Sequence, residues 1–272
     1  MNKTISIGAI QNEYLAFGDD SQFNDTLAFA FVIIRSDKIE YVQNKVKRLK
    51  KLYNIPESTP LHSRVLFSGH ARDKAGLSHL TPYMIKNIIT KIVDLINRTP
   101  MYLRYAFCNL SEHVSFFEQM ESRIELSDKD KQLKKEIPLN PDPKGLLGCL
   151  AHLSLATPPK DDRVPSYEKC QIIISEDRTK VKFLGEHGRQ AHKWSEGFSD
   201  IGSDGNTVFK MQPVVQKFKE NLMLELADIM AYVCSHAIGT HGNPFFLSQL
   251  NRVKNWTSAR YYTREPSIEN NL

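Results

Sequence analysis

Two long apolar runs stand out in the pattern of hydrophobic and polar positions along the chain. Residues 26–34 (TLAFAFVII) and 170–175 (CQIIIS) are almost wholly apolar, which is typical of strands in a sheet that is covered on both faces. Residues 14–17 form a shorter β-type run that ends in Gly-Asp-Asp-Ser, and its short connection to the next run predicts an antiparallel hairpin. Residues 101–109 predict another strand, and residues 208–215 a last short one.

Helical spacing of apolar residues predicts four main helices, over residues 37–53, 79–97, 144–156 and 219–238. The first has a basic tract, for which we favour a solvated face, with a surface that follows a phosphate backbone as the alternative. This basic tract consists of Lys45, Lys47, Arg48, Lys50 and Lys51. Residues 56–76 predict irregular structure, and after a short helix at 247–255 the chain is expected to end in a mobile tail.

The last main helix carries two acidic residues within an apolar sequence. Residues 224–233 read LELADIMAYV, in which Glu225 and Asp228 are three apart and therefore neighbours on the helix surface. By itself the pattern favours an amphipathic helix with two solvated acids. The alternative is a helix that delivers carboxylates to a site, since a carboxylate among apolar residues is costly unless it is paired, hydrogen-bonded or bound to a metal.

Length and composition favour one elaborated α/β domain. The chain has 272 residues, of which 41% are hydrophobic and 25% charged. We expect a single domain over residues 1–272, with a helical insertion around 111–157 and a short C-terminal extension at 240–272. The net charge of +5 permits a polyanionic partner without requiring one.

Cysteine spacing and hydropathy indicate a protein of the reducing cytoplasm. The four cysteines are scattered, form no CxxC pair and lie among apolar residues, so we expect buried free thiols and no zinc ribbon. They are Cys108, Cys149, Cys170 and Cys234. No apolar run approaches the roughly 20 residues needed to span a bilayer, so we expect no membrane partner.

Three acidic pairs occur at places that a folded sheet brings together. Two of them follow apolar strands, where open sheets bind ligands, and the third is on the late helix. The pairs are Asp19 and Asp20, Glu176 and Asp177, and Glu225 and Asp228. Carboxylates that converge repel one another, so such a cluster raises its own pKa values or binds divalent cations. Mg²⁺ prefers carboxylate oxygens and water, and a two-ion site would suit phosphoryl displacement.

These motifs resemble an uncharacterised family, a domain of unknown function, in the ribonuclease H-like (integrase-like) superfamily. The similar segments are FGDDS after a first strand, LHSRVLFSG with His62, IIISEDRT after a later strand, and LELADIMAYV in the last main helix. The family pattern has Asp-Glu-Ser-Gly in the first segment and Gln-Leu-Ala-Asp in the last. Here Asp20 replaces the Glu, Gln22 the Gly and Glu225 the Gln, so the turn geometry is expected to differ.

The resemblance implies a ribonuclease H-like mixed sheet of about five strands with helices on both faces. It also implies a site of Asp19, Asp228 and one acid of Glu176 or Asp177 that holds Mg²⁺ or Mn²⁺. In such enzymes a metal-activated water attacks phosphorus while a second metal steadies the leaving 3′-oxygen. Strand alternation points Asp19 and Asp20 to opposite faces, so only one of them is expected to bind metal directly.

Further residues adjoin these motifs. His62 either orients a nucleophile or phosphate, or is a loop histidine bonded to backbone. Side chains expected to support the carboxylates or contact phosphate are Ser21, Arg64, Lys144, Arg178 and Glu225.

The sequence therefore predicts a divalent-metal-dependent nuclease that acts on DNA or RNA. One alternative is a non-catalytic nucleic-acid or protein-binding module with a degenerate acidic site, and a weaker one is a nucleotide phosphohydrolase. Nucleases of this general kind often occur in mobile-element or phage-defence settings. A regulatory protein partner is an expectation from that setting alone, and the oligomeric state stays open.

Overall fold

A computed structural model describes residues 13–111, 147, 150–151, 153–155, 170–175, 214–238 and 242–260. This part of the chain forms a mixed sheet with helices packed against it. The strands are β1 (Tyr14–Phe23), β2 (Thr26–Arg35), β3 (Met101–Asn109), β4 (Cys170–Ser175), β5 (Val214–Gln216) and β6 (Trp256–Arg260). The helices are α1 (Ile39–Leu52), α2 (Ser63–Phe67), α3 (Gly69–Lys74), α4 (Pro82–Arg98), α5 (Leu222–Ile238) and α6 (Pro244–Arg252).

The sheet has six strands in the order β5-β4-β1-β2-β3-β6. The first three strands along the chain form an antiparallel meander, in which β1 pairs with β2 and β2 with β3. The other three add in parallel, β4 beside β1, β5 beside β4 and β6 beside β3. The predicted α/β class and the first hairpin are confirmed.

Strand β1 is longer than predicted. It continues through Asp19 and Asp20 to Phe23, paired with β2 throughout, and the chain reverses at Asn24, which has φ of 49°. The acids therefore lie within the strand and do not follow it. Gln22 pairs with Leu27 in the ladder, so no turn requires glycine at that position.

The two faces of the sheet carry separate hydrophobic cores. On one face Phe17, Val32 and Ile173 pack with the apolar sides of α1, α4 and α5. On the other face the odd-numbered aromatic residues of β2 pack with helical residues around Leu150 and Leu155. Helices cover both faces of the central strands, as the apolar runs predicted.

Two regions of the chain hold structure that the sequence did not predict. Residues 56–76 contain the short helices α2 and α3. The short helix predicted at 247–255 is α6, which begins and ends three residues earlier, and the sixth strand, β6, follows it where a mobile tail was expected. Helix α4 begins at Pro82, three residues later than predicted, and the Thr81 side chain caps it by accepting a hydrogen bond from the backbone N–H of Met84.

Other sequence expectations have mixed outcomes. Cys108, Cys170 and Cys234 are buried free thiols, and Cys149 lies outside the described residues. No described helix is long and apolar enough to cross a membrane. The predicted insertion at 111–157 and the helix at 144–156 lie mostly outside the described residues, although residues 147, 150–151 and 153–155 are helical.

Candidate functional site

Asp19 is held at the junction of β1 and β4. The parallel register pairs Gly18 with Ile174, which brings the next residues, Asp19 and Ser175, side by side. The Ser175 hydroxyl donates to Oδ1 of Asp19 at 2.6 Å, and the backbone N–H of Asp20 donates to the same oxygen at 2.9 Å. Asp19 is buried. Its position on the same face as Phe17 directs the carboxylate toward α5.

Asp228 reaches the same face from α5, which packs across β1 and β2. Its Oδ2 accepts the backbone N–H of Ser63 at 2.6 Å, and Nδ1 of His62 lies 3.3 Å from its Oδ1. Burial and, after it, the nearby carboxylates of Asp19 and Asp20 raise the pKa of Asp228 to about 8, while the hydrogen bonds from Ser63 oppose the shift. The structure thus brings the two acids most strongly predicted from sequence into electrostatic contact.

Glu225 is also buried, one turn before Asp228. Its Oε1 lies 2.8 Å from Nζ of Lys50 on α1, and its Oε2 accepts the backbone N–H of Leu61 at 2.9 Å. Burial raises the pKa of Glu225 above its ordinary range, and the Lys50 ammonium and the Leu61 N–H offset part of this shift. The interpretation of Glu225 and Asp228 as solvated acids on an amphipathic helix is therefore wrong.

Glu225 and Asp228 both accept hydrogen bonds from the backbone of one short segment, residues 61–63. Carboxylates three residues apart on a helix share a face, and N–H groups two residues apart in extended backbone point the same way. The two spacings match, so Leu61 and Ser63 donate to successive acids. The residue between them, His62, is then held beside Asp228, with its ring 4.9 Å from that of Phe218.

His62 also caps α2, because its Nδ1 accepts the backbone N–H of Arg64 at 3.3 Å. Its side chain is 40% exposed. The histidine thus combines both hypotheses from the sequence. It is bonded to backbone, and it presents an exposed imidazole beside a buried carboxylate.

A second contact ties β1 to α5 beyond the acids. The hydroxyl of Ser235, which is fully buried, donates to Oγ of Ser21 at 3.1 Å. Next to it the His236 ring stacks between Phe23 and Tyr232, with centroid distances of 3.8 and 3.6 Å. Burial lowers the pKa of His236 to about 4, so this imidazole is neutral near pH 7.

The remaining predicted residues divide into two groups. Asp20 is half-buried on the strand after Asp19, and the Arg64 side chain is exposed beside His62. Glu176, Asp177, Lys144 and Arg178 lie outside the described residues, so the third acid of the predicted cluster is not among them. Within the described ranges no group of three or more His, Cys, Asp or Glu side chains is arranged to hold a metal.

Sequence inspection missed Lys50, Ser63 and Ser175. Lys50 was assigned to a solvated basic face, and this is wrong, since its side chain is fully buried against Glu225. A signal was present, because Lys50 lies four residues after Val46 and eight after Val42, on the apolar stripe of the helix. A lysine on the buried stripe implies a buried acid elsewhere in the chain.

Comparison with protein-family models, with curated proteins and with solved structures gave no significant match for this chain. The resemblance to a ribonuclease H-like family therefore stays a prediction from the motifs.

Proposed function

We propose that the chain is a divalent-metal-dependent nuclease that hydrolyses phosphodiester bonds in DNA or RNA. The observation that carries the proposal is the pairing of two buried acids, Asp19 from β1 and Asp228 from α5, close enough that the charge of Asp19 raises the pKa of Asp228. Such a pair is unfavourable without a proton or a cation between its members. The six-stranded mixed sheet with helices on both faces supports the ribonuclease H-like fold that the motifs suggest.

The donor set suits Mg²⁺ or Mn²⁺, both of which prefer carboxylate oxygens. Asp19 and Asp228 would hold the ion, and Glu176 or Asp177 would complete the set, since they follow Ser175 directly in the chain. When bound, the ion supplies a Lewis acid that lowers the pKa of water and stabilises phosphate oxygens. A second ion is compatible with three or more carboxylates.

The protein's own side chains would orient the substrate. The exposed imidazole of His62 would donate to a phosphate oxygen beside Asp228, and the exposed guanidinium of Arg64 would pair with a neighbouring phosphate. Glu225 and Lys50 would not contact the substrate; they would position His62 because they hold the 61–63 segment. Ser175 would orient Asp19 through its hydrogen bond.

The test compares wild type with Asp19→Asn and Asp228→Asn on plasmid DNA, single-stranded DNA and RNA, each with millimolar Mn²⁺. Both variants should lose at least about a hundredfold in cleavage rate while keeping the wild-type circular dichroism spectrum. Asp73→Asn is the matched control, because Asp73 is an exposed acid on α3. Wild-type rates in both site variants would overturn the proposal, and so would a wild-type protein that cuts none of the three substrates.

One observation favours a second candidate, a non-catalytic binding module on the same fold. Both oxygens of Asp228 already have partners, the Ser63 N–H and the His62 imidazole, and a pKa of about 8 keeps this carboxyl largely protonated at neutral pH. A site that is satisfied internally needs no metal. This candidate predicts nucleic-acid binding that weakens with salt and is unchanged by chelation with EDTA.

A further inference from the structure

A groove of about 420 Å³ runs between α1 and α4. Its rim is basic, with two cations from each helix: Lys45, Arg48, Lys91 and Arg98. Asp94 is the acid among the described residues that line the groove, and it already forms an ion pair with Arg252 at 2.6 Å. Among the described residues, the four cations of the rim thus have no acid of the groove left to neutralise them.

The groove also has apolar walls that are open to solvent. Leu52 is 64% exposed and Tyr41 is 52% exposed, and both line it together with Leu49 and Leu95. Large apolar side chains grouped in a concave surface and bordered by polar ones are typical of a site that binds a partner. A polyanion such as a nucleic-acid backbone has cations to contact here but nothing that would cover leucines.

The groove and the two buried acids are formed by different residues. The residues that line the groove belong to α1 and α4. Asp19 lies on β1 and Asp228 on α5. Neither Asp19 nor Asp228 lines the groove. It is therefore a different site from the one proposed for phosphodiester cleavage.

We propose that this groove is the docking site for an acidic amphipathic helix of another protein. Apolar residues along one face of such a helix would fill the space between Leu52 and Leu95, and its flanking carboxylates would meet the four cations of the rim. The charge complementarity also selects against basic partners. The proposal does not depend on whether the chain is a nuclease.

The test uses a fluorescent 16-residue helical peptide with leucine on one face and glutamate elsewhere, followed by fluorescence anisotropy. Wild type should bind it at least tenfold more tightly than a peptide in which serine replaces each leucine. Arg48→Glu should weaken binding at least tenfold. Lys47→Glu is the control, because it makes the same charge change at the neighbouring exposed residue of α1, outside the groove.

Three results would overturn the proposal. The first is equal binding of the leucine and serine peptides, or equal loss in the two charge-reversal variants, since either indicates general attraction of polyanions. The second is the absence of peptide binding while a 20-nucleotide single strand of DNA binds and Arg48→Glu abolishes that binding, which would assign the groove to nucleic acid. The third is a wild-type dimer in sedimentation equilibrium that Arg48→Glu converts to monomer, which would assign the groove to a second copy of the chain.

Discussion

Nζ of Lys50 lies 2.8 Å from Oε1 of Glu225, and both side chains are inaccessible to solvent. The two residues are 175 positions apart, one on α1 and one on α5, so their contact links the first helix of the fold to the last long one. The other oxygen of Glu225 holds the N–H of Leu61. The ion pair thus supports the segment that carries His62 to Asp228.

Removing one partner of this pair should be far more damaging than removing both charges. Lys50→Met leaves a buried, unpaired carboxylate and should lower the free energy of unfolding by about 3 to 5 kcal/mol. Lys50→Met with Glu225→Gln should recover most of that loss, because the amide oxygen can still accept the Leu61 N–H. Urea denaturation of the two single variants and the double variant measures the coupling.

The exposed neighbour Lys51 provides the control, since Lys51→Met should change stability by less than about 0.5 kcal/mol. If Lys50→Met cost no more than Lys51→Met, the pair would not be a buried ion pair in solution.

Asp228 should make the protein less stable as pH rises. Its pKa is raised to about 8 in the folded chain, above the ordinary value of about 4, so the folded state binds more protons between these two pH values. The protonated acid contributes its full stabilisation below about pH 4, and this contribution decreases as the pH rises from about 4 to about 8. Asp228→Asn removes this loss and should stabilise the protein by up to about 5 kcal/mol at pH 8, and by about 1 to 2 kcal/mol at pH 5.

Thermal unfolding at pH 5, 6.5 and 8, without metal, measures the difference between wild type and Asp228→Asn. Asp73→Asn is again the control, because this acid is exposed and its removal should change the stability very little at each pH. A difference in stability between Asp228→Asn and wild type that stays constant from pH 5 to pH 8 would contradict a raised pKa for Asp228.

His236 should have the opposite effect at lower pH. Its pKa is lowered to about 4, below the ordinary value of about 6.5, because the ring is buried between Phe23 and Tyr232. The unfolded chain binds the extra proton between pH 6.5 and 4, so stability falls as pH decreases through that range, by about 3 kcal/mol at most. His236→Phe keeps the ring stack and should flatten this part of the stability profile.

Denaturant titrations at half-unit steps from pH 4 to pH 7 give the two profiles. His70→Asn, at an exposed position on α3, should leave the wild-type slope unchanged. If stability in His236→Phe fell with decreasing pH as steeply as in wild type, another group would be the cause of the lower stability at acid pH.

Gly18 should tolerate no side chain, because a Cβ at this position would collide with Phe31 and lie 2.8 Å from Cε1 of Phe29. Gly18→Ala should cost about 1 to 3 kcal/mol through displacement of these rings. Gly69→Ala is the matched control, since the nearest atom there is the mobile end of Arg72 at 3.8 Å. Equal stability of the two variants would show that the rings move aside freely.

Gly18 also precedes Asp19, so the same substitution should impair any activity that depends on the two buried acids. That effect should exceed the one expected from unfolding alone when cleavage is measured at a temperature well below the transition.

Much of the fold was decided by local pattern. The uninterrupted apolar residues of β2 and β4 require cover on both faces of the sheet, and the hairpin of β1 and β2 follows from its short connection. The motifs also pointed to Asp19 and Asp228 before any contact was known. These features depend on periodicity and on residue type, which the sequence carries directly.

Tertiary structure decided which acids face each other and what neutralises them. The contact of Lys50 with Glu225 is of this kind, because the sequence cannot show that two helical stripes 175 residues apart pack together. The same holds for Ser175, which touches Asp19 only through the parallel register of β4 beside β1. The periodicity of the late helix alone favoured a solvated acidic edge, and only the motifs assigned Asp228 to a site, whereas packing against β1, β2 and α1 buries both acids and leaves each dependent on a partner from a distant segment.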